Sequence, residues 1–411
     1  MEEIQNISTC LVGASSISNN GNKLISQNIE MTPWGLQFLL VGTIQKEYSL
    51  VKSLDSLSLV DHLKASLSRT LDFFPPQARL FSTTKNFDDH TITSFSITCN
   101  NSGAERFLES CYVPTIVHYL LPLNKLRNMQ CVLKPLLGVK VTQLVDGYFI
   151  GCTMSHSLGD GTCFWHFFNS WSEISCGFEF GSPYPDLEKW FPENINPPIF
   201  FPLKLDGEKL YECSTLEQPI LKKRISHLSK VSVCKLKAKA NSDTGTKSIS
   251  SLQAFLAHLW KSVTRCRGVN ANQEATRTRL KPPLPEDRDL LEKRLGFAAL
   301  QMNKIVASQN YEEVVNLYKG WVEKPVIISK VSVYVANRLA ISSSPKFSIY
   351  SCDFGWGKPV VVRSGMANKG DGEVTLFPVV EEGRVDIEVC LVPESLLAME
   401  NDAEFMEFVT V

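Results

Sequence analysis

"GVKVTQLVDGYFIGCTMSHSLGDGTCFWHFFNSWSEI", Gly138–Ile174, decides how the first half of the chain folds. Val139, Val141 and Gln143 alternate with Lys140 and Thr142, the period-2 pattern of a half-buried strand. Asp146-Gly147 supplies the tight turn of a hairpin. The returning strand sets Tyr148, Ile150, Cys152 and Met154 on one face, with His156 beside them if the pleat stays regular. Asp160-Gly161 breaks the strand. From Thr162 onward Phe164, Phe167, Phe168, Trp171 and Ile174 recur as the buried stripe of a helix. His166, inside that helix, reads as structural.

His156 therefore stands at the mouth of a strand, with a carboxylate four positions on. A neutral imidazole, pKa ~6.5, is the side chain best matched to take a proton near neutral pH. At a strand end it suits a general base acting on a hydroxyl or amine, worth roughly 10²–10⁴ in rate. Asp160 is not assumed to be its partner. It can instead cap the next helix, or pair with an arginine and pin the loop. HxxxD alone is a weak signal in a chain with seven histidines. A second stretch, "YSCDFGWGKPVVVRSG" (Tyr350–Gly365), sets Asp353, Gly355, Trp356 and Gly357 close together. Its glycines permit positive φ or close backbone approach.

Elsewhere, Leu59, Leu63, Leu67 and Leu71 predict a helix that Pro75-Pro76 ends. Ser250 and Gln253 form a capping box before the stripe Leu252, Phe255, Leu256, Leu259 and Val263, and Gly268 stops that helix. Residues 287–305 and 311–322 predict further helices, and 393–409 a closing one with Pro393 in its first turn. Val385, Ile387, Val389 and Leu391 alternate with Asp386 and Glu388 on the second strand of another hairpin. Asn241–Lys247 reads as a surface loop, and proline-rich Glu193–Gly207 as a long connection. The mixture indicates an α/β or α+β class.

The 411 residues, 44% of them apolar, suggest two domains with a core each. A net charge of -1 offers no electrostatic reason for nucleic acid or an anionic membrane as partner. Twelve cysteines without CxxC or zinc spacing read as buried, reduced thiols, so cytoplasm is the expected location. No apolar run approaches the ~18 residues of a membrane span.

HxxxD in mid-chain followed by DFGWG resembles the plant BAHD acyltransferase family. "RTLDFFPP" (69–76), "KPLLGVKVTQLVDG" (134–147), "ISSLQAFLAHLWKSV" (249–263), "LKPPLPE" (280–286) and 386–406 look like the same family, so the resemblance covers nearly the whole chain. It implies two similar mixed-sheet α/β domains of the coenzyme A-dependent acyltransferase type, with a channel between them. Residues 1–185 would form the N-terminal domain, 186–215 a crossover loop, and 216–411 the C-terminal domain carrying DFGWG. An acyl-CoA thioester would be co-substrate, with no permanently bound cofactor and no metal. The acceptor would be a hydroxyl or amine of a plant specialised metabolite. His156 would deprotonate it for direct attack on the thioester, without an acyl-enzyme.

The resemblance sets Asp160 and Asp353 with His156 in the catalytic motifs. It turns Asp160 toward an arginine, Arg277 first and Arg279 second. Asp353, Gly355, Trp356 and Gly357 would support the channel wall, and Trp34, Phe38, Trp165 and Trp356 are candidate lining residues. Ser250 and Ser251 would meet the coenzyme's phosphate or pantetheine, with Lys235, Lys237 and Lys247 as helpers; capping is the alternative for Ser250 and a solvated face for the lysines. A cytoplasmic monomer is expected. The chain departs from the family pattern at Gly35, where aspartate is common, and after the alanine of "FFPPQARLF", where a glycine usually stands. It departs again around 273–290, where a strand and a turn are missing. Two other readings stay open: a lyase or cyclase using the same pocket without coenzyme A, and a catalytically silent binding protein.

Overall fold

The computed structural model of the chain describes residues 5–15, 28–50, 56–86, 93–98, 104–111, 121–123, 126–144, 147–201, 220–268, 287–328, 339–342, 347–379 and 383–410. Its strands in chain order are β1 (Gln5–Val12), β2 (Asn28–Glu30), β3 (Ile44–Leu50), β4 (Phe81–Lys85), β5 (Thr93–Thr98), β6 (Ala104–Cys111), β7 (Leu137–Gln143), β8 (Tyr148–Met154), β9 (Lys222–Leu228), β10 (Ala340–Ser342), β11 (Val361–Ser364), β12 (Glu373–Pro378), β13 (Val385–Leu391) and β14 (Val409–Thr410). The longer helices are α1 (Ser56–Phe73), α2 (Gly161–Ser175), α3 (Lys230–Thr244), α4 (Ser251–Cys266), α5 (Leu295–Ser308), α6 (Tyr311–Glu323) and α7 (Pro393–Glu400). Two compact units emerge. The first comprises Met1–Ser214, Tyr318–Ser329 and Ser348–Asn368; the second comprises Thr215–Leu317, Lys330–Phe347 and Lys369–Val411.

In the first unit a six-stranded sheet runs β1-β6-β7-β8-β3-β11, and a smaller one runs β2-β5-β4. The β6–β7 pair is parallel and the others antiparallel, so the large sheet is mixed. The hairpin expected at 139–154 is β7–β8, with Gln143 opposite Tyr148 and the Leu144 N–H donating to the Gly147 carbonyl. Asp146, the first turn residue, lies outside the described residues. The apolar stripe of α1 (Leu59, Leu63, Leu67, Leu71) and that of α2 (Phe164, Phe167, Phe168, Trp171, Ile174) are buried. At ~25 cal/mol per Å² such stripes are the main force holding helices to a sheet.

The second unit has a five-stranded sheet, β10-β12-β13-β9-β14, with a parallel β10–β12 pair. Ile387, Val389 and Leu391 face a core shared with Leu236, Phe255, Leu259 and Val263 of the helices. The capping box is present: the Ser250 hydroxyl accepts from the Gln253 N–H, and the Gln253 side chain returns a bond to the Ser250 N–H.

Three expectations change. Segment 348–368, carrying Asp353–Gly357, belongs to the first unit and not to a C-terminal domain, because β11 pairs antiparallel with β3. Residues 241–244 are the last turn of α3, which Gly245 ends at φ 65°, and not part of a loop. The closing helix is broken: α7 stops at Glu400, and the Asp402 side chain caps a separate turn, Ala403–Met406, by accepting from the Glu404 N–H.

Candidate active site

Strand β8 ends at Met154, two residues short of His156. Ser155 donates its N–H to the Leu136 carbonyl at 2.7 Å, and the chain then turns through 156–158. His156 emerges there, half-buried, with Phe38 stacked on its ring at 4.4 Å between centroids and 19° between planes. Phe38 follows a single helical turn, Pro33–Leu36. That turn lies against the His156 loop so closely that a Cβ on Gly35 would stand 2.5 Å from the Ser157 carbonyl oxygen and 2.6 Å from Met31 Cε. A side chain at 35 would therefore require the Ser157 loop or Met31 to shift.

Among the described residues, buried His156 Nδ1 has no hydrogen-bond partner. Burial pulls the ring's pKa below the ordinary histidine value. The carbonyls of His156 and Gly159 and the Asp160 carboxylate push the other way, and Lys46 adds to the depression. Desolvation is the largest influence, so the ring is held neutral, the form a general base needs.

Asp160 is exposed, and its Oδ1 accepts from the N–H groups of Thr162 and Cys163 at 2.9 and 3.0 Å. It is the N-cap of α2. Arg277 and Arg279, the expected ion-pair partners, lie outside the described residues, as does the departure at 273–286. Gly159 lets the loop fold onto the helix, since a Cβ there would meet Cys163 Cβ at 2.6 Å.

The second motif meets the other end of α2. Asp353 Oδ1 accepts from the Gly355 and Gly357 N–H groups at 2.8 and 2.9 Å. Those glycines have φ of 98° and 103°, which ordinary side chains rarely adopt. Phe354, 1% exposed, packs edge-on against Trp171 and Phe168. Its carbonyl accepts from Ser175 Oγ at 2.9 Å, and the Asp353 carbonyl lies 3.0 Å from Cys176 Sγ. Trp356 packs edge-on to His62, whose Nε2 lies 2.8 Å from the Ser175 carbonyl oxygen. HxxxD and DFGWG are therefore tied to opposite ends of one helix, about 22 Å long at 1.5 Å per residue.

Of the candidate lining aromatics, Phe38 meets His156. Trp165 is 3% exposed and packs with Tyr48 and Phe164, a core position. Trp34 packs edge-on against Tyr318, and Trp356 packs with His62. Ser250 Oγ is engaged in its cap. Lys235, Lys237 and Lys247 are exposed, as expected of a solvated face. Among the described residues no His, Cys, Asp and Glu cluster has the makings of a metal site. Sequence reasoning passed over Asn128, which is 0% exposed and bonded to the His156 backbone. A lone asparagine in an irregular stretch carries no periodic signal.

Comparison with known proteins names the class. A model of the Transferase family matches residues 39–406, and the chain belongs to that family, the BAHD acyltransferases. Over 100% of its length the chain is 33% identical to Protein Enhanced Pseudomonas Susceptibility 1 of Arabidopsis thaliana, covering 99% of that protein. An uncharacterised acetyltransferase of the same plant is 31% identical, over 99% of each chain. BAHD acyltransferase DCR, also from Arabidopsis thaliana, is 29% identical over 70% of this chain and 66% of its own. Two solved structures share the fold. TRI101 of F. graminearum, complexed with coenzyme A and deoxynivalenol, superposes with a TM-score of 0.72 at 16% identity, covering 94% of this chain and 99% of its own. Vinorine synthase superposes at 0.66 and 19% identity, covering 99% and 98%.

Proposed function

We propose that this chain transfers an acyl group from an acyl-CoA thioester to a hydroxyl or amine of a small plant metabolite, with His156 as general base. The observation that carries the reading is the imidazole stacked on Phe38 just past the end of β8, whose pKa burial lowers. The ring takes the acceptor's proton as its oxygen or nitrogen forms a bond to the thioester carbonyl carbon. The C–S bond then breaks, and the thiolate of coenzyme A leaves with a proton from the imidazolium. With Nδ1 buried, Nε2 is the nitrogen that works. Protonation puts a cation over the face of Phe38, an attraction worth about 0.5–1 kcal/mol that partly offsets the cost of charging a half-buried ring. Asp160 favours the same charged form through space, and as an N-cap it holds the loop in register with α2.

Family membership supports the reaction class, and relatives at lower identity carry names such as shikimate O-hydroxycinnamoyltransferase and rosmarinate synthase. With the Ser250 hydroxyl committed to its cap, the proposed coenzyme contact on α4 falls to Ser251 at the helix N-terminus. The protein is expected to work in the cytoplasm as a monomer.

A thioester panel tests the proposal. Acetyl-, benzoyl- and hydroxycinnamoyl-CoA are each added during thermal unfolding, then incubated with the protein and plant extract for mass spectrometry. A bound thioester at 100-fold excess over its Kd stabilises the fold by about 2.7 kcal/mol. At least one thioester is expected to raise Tm and to yield an acylated product. No shift with any of them would favour chemistry without coenzyme A.

A further inference from the structure

We infer that Asn128 is a positioning residue of this reaction, holding the His156 backbone and the Phe38 wall in fixed spacing through one buried amide. The inference rests on the assignment of His156 as base. Asn128 opens a short 3-10 turn, Asn128–Val132, and its side chain is 0% exposed. Its Oδ1 accepts from the His156 N–H at 2.8 Å and from Ser155 Oγ at 3.0 Å. Its Nδ2 donates to the Phe38 carbonyl at 2.8 Å and to the Gly42 carbonyl at 3.2 Å. Its own N–H donates to the Val41 carbonyl at 3.0 Å.

These bonds use both amide hydrogens and both lone-pair directions of Oδ1. Asparagine alone offers donor and acceptor in one plane at this length. Aspartate keeps the acceptor but sets a second oxygen against the Phe38 and Gly42 carbonyls. Leucine keeps the volume but takes the acceptor from the His156 N–H and Ser155 Oγ, while the Phe38 and Gly42 carbonyls retain the Val41 N–H and Asn368 Nδ2. The arrangement has a functional consequence because Asn128 bonds to both backbones that carry the ring stack, through the Phe38 carbonyl and the His156 N–H. A base misplaced by ~1 Å costs on the order of 10²-fold in rate.

The test compares the wild type with Asn128→Leu, Asn128→Asp and His156→Ala by NMR of the histidine Cε1–H signals against pH. Loss of one signal in His156→Ala identifies the ring. In the wild type its proton is expected upfield, from the ring current of Phe38, with a titration midpoint below ~6.5. In folded Asn128→Leu and Asn128→Asp the upfield shift shrinks and the midpoint moves toward ~6.5. With a donor–acceptor pair taken from the panel, kcat falls on the order of 10²-fold and the thioester KM changes less than about threefold. Wild-type shift and midpoint in either folded variant would overturn the inference. So would unfolding of both, which would make Asn128 a determinant of the fold alone. If His156→Ala itself retains full transfer, it is the base assignment that fails.

Discussion

If His156 is the base, as proposed, its burial sets the pH range of the reaction. Its folded pKa is depressed chiefly by desolvation, so the neutral ring persists below the ordinary ~6.5 of a free histidine. The acid limb of a kcat/KM profile is therefore expected below ~6.5, with activity lost as pH falls through the folded value. A limb above 7 would show the ring to be stabilised as the cation instead. Stability follows the same sign. A histidine with a depressed folded pKa contributes stability that is present above ~6.5 and lost as pH falls toward the folded value, because the unfolded chain then binds the extra proton. His258, also depressed by burial, acts in the same direction. Urea unfolding at pH 7.5 and 5.5 should show the lower stability at 5.5; a rise on acidification would contradict both assignments. At the neighbouring turn, Gly35→Ala must displace Ser157, since its Cβ would sit 2.5 Å from that carbonyl. It should reduce turnover and stability together, and unchanged kinetics would mean the contact relaxes freely.

Helix α2 links the two motifs, and each end can be loosened separately. Asp160→Ala removes the acceptor for two first-turn N–H groups and should cost about 0.5–2 kcal/mol. Asp160→Asn keeps an Oδ1 acceptor and should cost far less, because asparagine and aspartate rank together as caps. Equal losses would point to the carboxylate's charge, and so to an ion pair, as its main role. At the other end, Phe354→Ala empties a site 1% exposed among aromatic rings and should cost about 3–5 kcal/mol. A loss under 1 kcal/mol would mean the DFGWG loop is not the buttress described. Much of this element could be read in advance. The stripe from Phe164 to Ile174, the hairpin before it and the α4 capping box all follow local periodicity or cap chemistry. The glycines of DFGWG likewise matched a need for positive φ. Asn128 was not legible because its partners, mostly backbone groups, lie far away in sequence. Helix α3 has no legible signature, because it buries only Leu236 and Ala240 and shows no stripe to follow.

On the scale of the molecule, chain order and unit membership part company. Segment 348–368 reaches the first unit through the register of β11 with β3, Val361 opposite Ser49 and Ser364 opposite Lys46. No local pattern announces a strand pairing across some three hundred residues. A contiguous division of the chain therefore separates DFGWG from the unit it belongs to; the mixture of elements points to α/β or α+β, and the mixed sheets follow only from the family resemblance. One consequence is that residues 1–214 expressed alone lack β11 and the Phe354 buttress. The most direct test of the whole account is turnover by His156→Ala in the intact chain, measured beside the Tm shift with the same thioester. The account predicts a loss of roughly 10²–10⁴-fold in transfer with the thioester-induced shift preserved. Transfer within a few-fold of wild type would contradict it.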